Sequence, residues 1–301
     1  LVRAKDDAAS LKQRPGAVTP QEGILASTNF RIAFSDNMAV TGEAGSSAFT
    51  RDMNADPIET KTPLPGSVYR QTIATRSDYA GTLAFLWNEG NWGVKASGKY
   101  IGAGFTSLGY PYLQPDRLDF LLAPRVKLFN RAVNINGSIG HRTNNLSGTK
   151  GATSTQIIGS ANVLAILSEQ WSVTARYANF GVRNNLTSDT LKVETVSNSV
   201  SISPTYVFGS ESVVHTVTAS YSIDAFNDYN VVSGAQATNN TQSIMLFYMV
   251  NFSELPLSLN LSVNRLTNDL PVNTLTIDGA SLGAQTTLFE GRVAPSMSVS
   301  F

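Results

Sequence analysis

The sequence predicts an all-β fold, an antiparallel up-and-down transmembrane β-barrel of about 14 strands. Three observations favour this class. From Ile24 onward, apolar and polar residues alternate with a period of two, and the 3.6-residue recurrence of an amphipathic helix is nearly absent. Short breaks alternate with long polar stretches between these segments. The side chains between the apolar positions are mostly small and uncharged in the C-terminal half.

The clearest alternation runs through Leu257, Leu259, Leu261 and Val263, which are separated by serine and asparagine. Such a segment forms a strand with one aliphatic and one polar face. A soluble β-sandwich has the same period, but its solvent face should carry many charged residues. A face of Ser, Thr and Asn fits the inside of a filled or wet barrel better. Comparable segments lie at residues 92–100, 117–128, 133–139, 196–208, 212–223 and 293–301.

The connections between segments are of two kinds. Short breaks with hairpin-turn composition lie at residues 36–37, 88–91, 130–131, 168–170, 209–210 and 253–254. Long polar stretches lie at residues 51–76, 102–115, 143–153, 183–188, 226–240 and 267–287. Short periplasmic turns at one end and long extracellular loops at the other are typical of barrels in the bacterial outer membrane. The sequence therefore predicts that location, with the lipid bilayer as a partner.

The chain divides into a polar lead-in at residues 1–23 and a barrel at residues 24–301. About twelve strands fit between Ile24 and Leu266, with a last one from Leu288 to Phe301, and bacterial barrels have even strand numbers. We therefore expect residues 1–4 to be the end of an earlier strand, with more sequence upstream of Leu1. The alternative is that residues 277–287 form a strand, which would place the C-terminus at the long-loop end.

Aromatic residues lie near the ends of several segments. Belts of Trp and Tyr mark both interfaces of a lipid-spanning sheet, although strand ends of any sheet tolerate aromatic residues. The predicted belt consists of Trp87, Trp92, Trp171, Tyr110 and Tyr112.

The C-terminal alternation of Met297, Val299 and Phe301 ends on an aromatic residue. It resembles the assembly signal of bacterial outer-membrane barrels. This resemblance implies the outer-membrane insertion machinery as a partner.

Two stretches carry a narrower resemblance. The segments VTGEAGSSAFTRD at residues 40–52 and KYIGAGFTSLGYPYLQPDR at residues 99–117 are similar to segments of large, mostly uncharacterised barrel proteins of Bacteroidetes-type bacteria. The resemblance implies an outer-membrane location. It implies no activity.

Composition excludes several function classes. The chain has 22 Lys and Arg against 22 Asp and Glu, and 15% charged residues, which argues against a nucleic-acid partner. It has no cysteine, and its sequence contains no phosphate-binding loop or metal-ligand motif, so we expect no cofactor. The two histidines, His141 and His215, are expected near opposite rims, so we expect no enzyme activity. Asp224 and Asp228 could hold a cation, but a solvated loop is the preferred interpretation.

The polar face of the N-terminal half carries more charge than the rest. One basic wall would favour anionic solutes in an open pore. The alternative is a packed lumen in which these cations pair with acids or with an inserted loop. The candidate lumen-lining residues are Arg31, Glu43, Lys95, Lys99, Asp119, Arg125, Lys127, Arg142 and Arg176.

Two functions from different classes fit this fold. The first is a passive channel or transporter for small solutes. The second is a structural barrel that anchors surface loops, an upstream domain or a partner complex, for example through the long stretch that contains Pro57, Pro63 and Pro65. A hydrolase at the rim is the least favoured of the hypotheses. Barrel architecture alone does not choose among them.

Overall fold

The computed structural model describes residues 1–7, 19–58, 69, 71–107, 109–110, 112–287 and 293–301. These residues form one sheet in which each strand neighbours the preceding and following strands in sequence. Apart from strands and turns, the described part of the chain contains a single-turn helix, α1 at Gly234–Ala237. The predicted all-β, antiparallel up-and-down class is thereby confirmed.

The sheet contains fifteen strands. Their bounds are β1 Val2–Lys5, β2 Glu22–Ser35, β3 Met38–Thr50, β4 Thr75–Asn88, β5 Trp92–Ile101, β6 Arg117–Leu128, β7 Val133–Asn144, β8 Ser154–Ile166, β9 Trp171–Asn184, β10 Glu194–Gly209, β11 Val213–Asp228, β12 Asn239–Phe252, β13 Leu257–Asp269, β14 Thr274–Thr286 and β15 Ser296–Ser300.

Strand β14 corrects the sequence analysis, which expected a long loop at residues 267–287. A turn at residues 270–273, closed by a 2.9 Å hydrogen bond from the Leu270 N–H to the Asn273 carbonyl, connects β13 directly to β14. The strand was missed because its apolar alternation changes phase. Ile277 lies opposite Leu266 on one face, whereas Leu282 lies opposite Leu261 on the other. A simple period-two pattern therefore does not extend through the segment.

The added strand also changes the direction of β15. Its residues pair with Ser281–Gln285, and Phe301 exchanges backbone hydrogen bonds of 2.9 and 3.2 Å with Ala280, midway along β14. Met297, Val299 and Phe301 therefore run from the short-turn end toward the long-loop end. The assembly-signal prediction required the opposite direction, so this arrangement removes its basis.

The strands belong to two compact units, and each is described by itself. Unit 1 comprises residues 1–88, 94–122 and 141–155, and unit 2 comprises residues 89–93, 123–140 and 156–301. In unit 1, β1 pairs with the first residues of β2, from Val2 opposite Leu25 to Lys5 opposite Glu22. Part of the predicted lead-in thus belongs to the sheet, and residue 23 lies inside β2.

The register of unit 1 sorts its side chains onto two different faces. Val40 on β3 lies opposite both Ile32 on β2 and Phe85 on β4, and these residues define the apolar face. Residues at the intervening positions, such as Glu43 and Thr82, define the polar face. The apolar face is not covered, because Ile32 is 51% exposed.

Unit 2 has the same two faces. On the polar face, hydroxyl groups of neighbouring strands form hydrogen bonds with each other. On the apolar face, three aliphatic residues are about half exposed. The hydroxyl pairs are Ser203–Ser220 at 2.8 Å, Thr205–Thr218 at 3.0 Å and Ser262–Ser281 at 2.7 Å. The aliphatic residues are Ile202 at 47%, Leu246 at 51% and Val263 at 49% exposure.

Few apolar side chains are buried. Among the described residues, six are, and most large aliphatic and aromatic side chains of the strands remain exposed. Exposed apolar side chains in such number are unusual on the strands of a soluble monomer, where large apolar patches mark contact surfaces. No helix in the described ranges is both long enough and apolar enough to cross a membrane.

Candidate functional site

The β5–β6 loop of unit 1 begins at residue 102, and its residues around Phe105 lie against the polar face of β3 and β4. Its Phe105 is buried, and a Cβ atom added at Gly45 of β3 would lie 3.9 Å from the Phe105 ring. A larger residue at position 45 would therefore reduce the space available to the ring. The loop thus covers part of a face that strand alternation alone would leave open.

Asp78 on β4 anchors the beginning of this loop. One carboxylate oxygen of Asp78 accepts a 2.8 Å hydrogen bond from the Gly104 N–H. The Gly102 N–H donates to the Tyr79 carbonyl at 2.9 Å. Gly102 lies so close to Asp78 that a Cβ atom at this position would overlap the carboxylate and displace the Asp78 side chain. The Thr106 N–H adds a 3.0 Å bond to the buried Ser47 hydroxyl.

Asp116 anchors the end of the loop. Its carboxylate is almost fully buried and accepts hydrogen bonds from the Ser147 N–H at 2.9 Å and the Ser147 hydroxyl at 3.0 Å. The Lys150 ammonium lies 3.7 Å away. The backbone N–H of Asp116 donates to the Gly102 carbonyl at 3.3 Å and closes the base of the loop. The β5–β6 loop is therefore fixed at both ends and joined to the β7–β8 loop.

The loop and the polar face enclose a cleft of about 220 Å³. Leu25, Ile101 and Phe105 contribute apolar surface, whereas Glu43 and Lys99 contribute opposite charges. Glu43 lies opposite Thr82 of β4, and Lys99 belongs to β5 on the far side of that strand. The two charged groups are more than 4.0 Å apart and form no ion pair.

The charged residues predicted to line a lumen lie on the polar faces of the two units. In unit 1, Asp119 binds Arg142 through two hydrogen bonds of 2.7 and 3.1 Å and lies 3.5 Å from Arg117. Arg31 and Lys95, like Lys99, form no ion pair within the described part of the chain. In unit 1, the charge of Asp119 is therefore neutralised, whereas among the described residues those of Arg31, Lys95 and Lys99 are not.

In unit 2, the remaining three candidates are Arg125, Lys127 and Arg176. Arg176 lies opposite Ser201, in the row of small hydroxyl residues. Arg125 and Lys127 alternate with Pro124 and Val126 along β6, which places them on the polar face. None of the three has an ion-pair partner among the residues that the structure describes.

The apolar face of unit 2 carries a continuous row of aromatic rings at its short-turn end. Trp171 stacks on Tyr206 with centroids 4.6 Å apart, and Tyr206 is followed by Phe208 at 5.3 Å. The row continues to His215 at 4.8 Å and Tyr248 at 6.0 Å, where His215 Nδ1 and the Tyr248 hydroxyl are 2.7 Å apart. Only Trp171 was among the predicted belt residues.

The other four predicted belt residues do not share one structural position: two lie on strands and two lie in a loop. Trp87 and Trp92 flank the β4–β5 turn, with Trp87 opposite Met38 and Trp92 40% exposed. Tyr110 and Tyr112 are also exposed, but they belong to the β5–β6 loop rather than to a strand. They therefore do not form part of a row of rings on a strand face.

The β3–β4 loop is attached to unit 1 through buried hydroxyl groups. The Thr50 hydroxyl lies 2.7 Å from both the Tyr69 and the Thr75 hydroxyls, and Thr50 and Tyr69 are almost fully buried. Burial raises the pKa of Tyr69 above its ordinary value of 10.0. Pro57 forms a bridge with Thr72, whereas Pro63 and Pro65 lie outside the described residues.

Two of the groups considered for catalysis or cation binding, His215 and Asp228, contact other residues of unit 2. His215 contacts aromatic rings of the apolar face. Asp228 uses its carboxylate to accept bonds from the Ser233 hydroxyl at 2.6 Å and the Asn230 N–H at 2.9 Å. Within the described ranges, no group of three or more His, Cys, Asp or Glu residues could hold a metal ion.

Comparison with known proteins gives distant similarities of fold. No family model matches the chain, so its predicted likeness to Bacteroidetes-type barrels stays a prediction. No curated protein matches it either. Among solved structures, a bacterial polysaccharide outer membrane secretin has 8% identity and a TM-score of 0.40, with 94% of this chain and 81% of that chain covered.

Two structures of OmpT from Vibrio cholerae are similar to the same degree. The outer-membrane expressed form has 11% identity and a TM-score of 0.41, and the in-vitro folded form has 11% identity and a TM-score of 0.37. Each alignment covers 99% of this chain and 92% of the other. At this level of agreement, no activity, substrate or partner is transferred from them.

Proposed function

We propose that the protein is an integral β-barrel of the bacterial outer membrane and a passive channel for small solutes. The single observation that carries this proposal is the contrast between the two faces of the sheet. One face is apolar and exposed. The other is polar, bears cations that have no ion-pair partner among the described residues, and is partly covered by the anchored β5–β6 loop.

The exposed apolar face supports the membrane location. Burial of apolar area contributes about 25 cal/mol per Å², so half-exposed rows of Ile, Leu, Val and Phe favour contact with lipid over contact with water. Strands β2 to β14 are long enough for this, because a transmembrane strand needs about 9–11 residues and these strands have 10 to 16. Strands β1 and β15 are shorter, with 4 and 5 residues. The bilayer is therefore the principal partner, whereas insertion machinery stays a prediction that the direction of β15 does not support.

Closure of the sheet into a barrel is part of the proposal. A strand edge in the hydrocarbon region would leave backbone N–H and C=O groups without partners, each at a cost of several kcal/mol. Closure removes such edges and turns the polar faces inward. The short turns then face the periplasm and the long loops face outward, as in other bacterial barrels.

The inward polar surface is suited to small solutes. Hydroxyl and amide side chains line much of it, and the free cations Arg31, Lys95 and Lys99 favour the entry of anions. The β5–β6 loop restricts the passage, so large solutes are excluded. The proposal assigns no catalytic residue and no cofactor.

A conductance measurement tests this function. The purified chain, reconstituted into a planar lipid bilayer between potassium chloride solutions, should give stepwise current increases with a preference for chloride. Heat-denatured protein in the same detergent serves as the control. A folded, membrane-inserted protein that conducts no ions would overturn the proposed channel.

A second candidate function is that of an anchoring barrel, and polar contacts made by its loops support it. Buried polar contacts such as Thr50–Tyr69 and Asp116–Ser147 attach the described parts of these loops to the fold, which suits a surface for a partner protein. Extraction from its native membrane in mild detergent separates the two functions. A stoichiometric partner, together with the absence of conductance, would favour anchoring.

A further inference from the structure

The cleft under the β5–β6 loop presents one acidic and one basic side chain to the same small space. Glu43 is on β3 and Lys99 is on β5, with β4 between them. Two strand spacings separate their backbones by about 10 Å. Their charged ends do not meet, and neither has an ion-pair partner among the described residues. Both charges therefore remain available to a ligand.

The rest of the cleft is largely apolar. Leu25, Ile101 and Phe105 line it, and Phe105 is held in place because Asp78 and Ser47 bind the backbone on either side of it. This wall does not depend on a ligand for its position. It suits an aliphatic group of a few carbon atoms.

The size of the cleft limits the ligand further. Its 220 Å³ corresponds to about seven water molecules at roughly 30 Å³ each. A group of about ten non-hydrogen atoms fills this volume, and a larger ligand would extend beyond the cleft. Opposite charges, a short separation and an aliphatic wall together describe a small zwitterion.

We propose that this cleft binds a zwitterionic α-amino acid with an aliphatic side chain. The Glu43 carboxylate binds its ammonium group, Lys99 binds its carboxylate, and Phe105 and Ile101 contact its side chain. This inference rests on the proposed channel function, for which it names a class of solute. Arg31 is a further cation on this polar face: it lies opposite Thr41, two positions from Glu43 along β3.

Calorimetric titration of the folded full-length chain in detergent tests the binding site without requiring conductance. The ligands are leucine, isocaproate, which lacks the amino group, and isoamylamine, which lacks the carboxylate. Each analogue loses one charge-assisted contact, so leucine should bind at least about tenfold more tightly than either. Equal affinity of leucine and isocaproate would overturn the proposal in favour of a simple anion site.

Two variants assign the roles. Glu43→Gln should lower the affinity for leucine about tenfold or more and leave isocaproate binding unchanged. Lys99→Gln should lower the affinity for leucine and isocaproate but not for isoamylamine. The matched controls Glu211→Gln and Arg131→Gln change exposed residues of short turns and should leave all affinities unchanged. The comparison of three ligands on the unmodified chain decides the matter even if a variant does not fold.

The outcomes for site and channel are distinguishable. Conductance without leucine binding would overturn the zwitterion site and leave the channel. Leucine binding without conductance would retain the site and overturn the channel. Loss of leucine binding in Arg131→Gln as well as in Lys99→Gln would contradict the assignment of the carboxylate to Lys99.

Discussion

The Asp78 carboxylate accepts a 2.8 Å hydrogen bond from the Gly104 N–H and thereby attaches the β5–β6 loop to β4. A hydrogen bond to a charged group contributes about 1.5–3 kcal/mol. Asp78→Ala removes this contact, so we expect the loop to move away from the polar face more often. The reconstituted variant should show a larger and noisier single-channel conductance than the unmodified protein.

The matched variant for this prediction is Asp78→Asn, which keeps an oxygen at nearly the same place. The Asp78 carboxylate accepts bonds of 2.8 Å from both the Tyr79 and the Gly104 N–H, and the amide can accept only one of them, so the conductance should lie between those of Asp78→Ala and the unmodified protein. If Asp78→Ala and the unmodified protein conduct identically, the loop does not restrict the passage.

The free cations of unit 1 allow a prediction about ion selectivity. Lys95 and Lys99 lie on the same polar face of β5, four positions apart, and neither is neutralised by an acid in the described part of the chain. Reversal of both charges in Lys95→Glu/Lys99→Glu should change a preference for chloride into a preference for potassium. The reversal potential in a potassium chloride gradient measures this change.

A control for charge reversal is Arg131→Glu, on the exposed β6–β7 turn. It changes the total charge but not the charge of the polar face, so the selectivity should stay the same. Unchanged selectivity in the double variant would mean that these lysines do not face the ion pathway.

The sequence was informative where a strand keeps one phase of alternation. Residues 257–263 alternate without interruption, and the observed β13 covers all of them. β14 was missed because Ile277 and Leu282 lie on different faces of the same strand. The sequence also could not show that the residues around Phe105 lie against the sheet. That arrangement depends on contacts between Asp78 and Gly104, which are 26 residues apart.

The candidate site was predictable only in part. Alternation along the strands placed Glu43 and Lys99 on a polar face, but their common cleft depends on the register of β3 and β4. The aromatic row was missed for the same reason. Tyr206 and Trp171 are 35 positions apart in sequence but face each other through the β9–β10 register. A short-range pattern does not contain such information.

Tyr69 provides a prediction about alkaline pH. Burial disfavours the charged phenolate and raises the pKa of Tyr69 above 10.0, and the negative charge of Glu22 acts in the same direction. The neutral Tyr69 hydroxyl therefore holds the β3–β4 loop through Thr50 below pH 10. This contribution to stability is lost as the pH rises through the raised pKa of Tyr69 in the folded state. Difference titration of tyrosinate absorbance between the unmodified protein and Tyr69→Phe gives the midpoint.

The control is Tyr112→Phe, which changes a residue that is 84% exposed. It should leave the protease susceptibility of the β3–β4 loop unchanged. A midpoint at or below 10.0 for Tyr69 would contradict the effect of burial. Tyr69→Phe should also make the loop more susceptible to protease at neutral pH, because the hydrogen bond to Thr50 is lost.

Trp171 tests the orientation of the apolar face toward lipid. The chain has three tryptophans, so Trp87→Phe/Trp92→Phe leaves Trp171 as a single fluorescent probe. Trp171 stacks on Tyr206 at the short-turn end of the apolar face, where an amphipathic indole is favoured at a membrane interface. In vesicles that contain brominated lipids, we expect strongest quenching by bromine near the headgroup region and weak quenching by aqueous iodide. The same variant in vesicles of unbrominated lipid is the control. Strong quenching by iodide with no effect of brominated lipid would mean that this face contacts water, and the membrane-spanning interpretation of the sheet would fail with it.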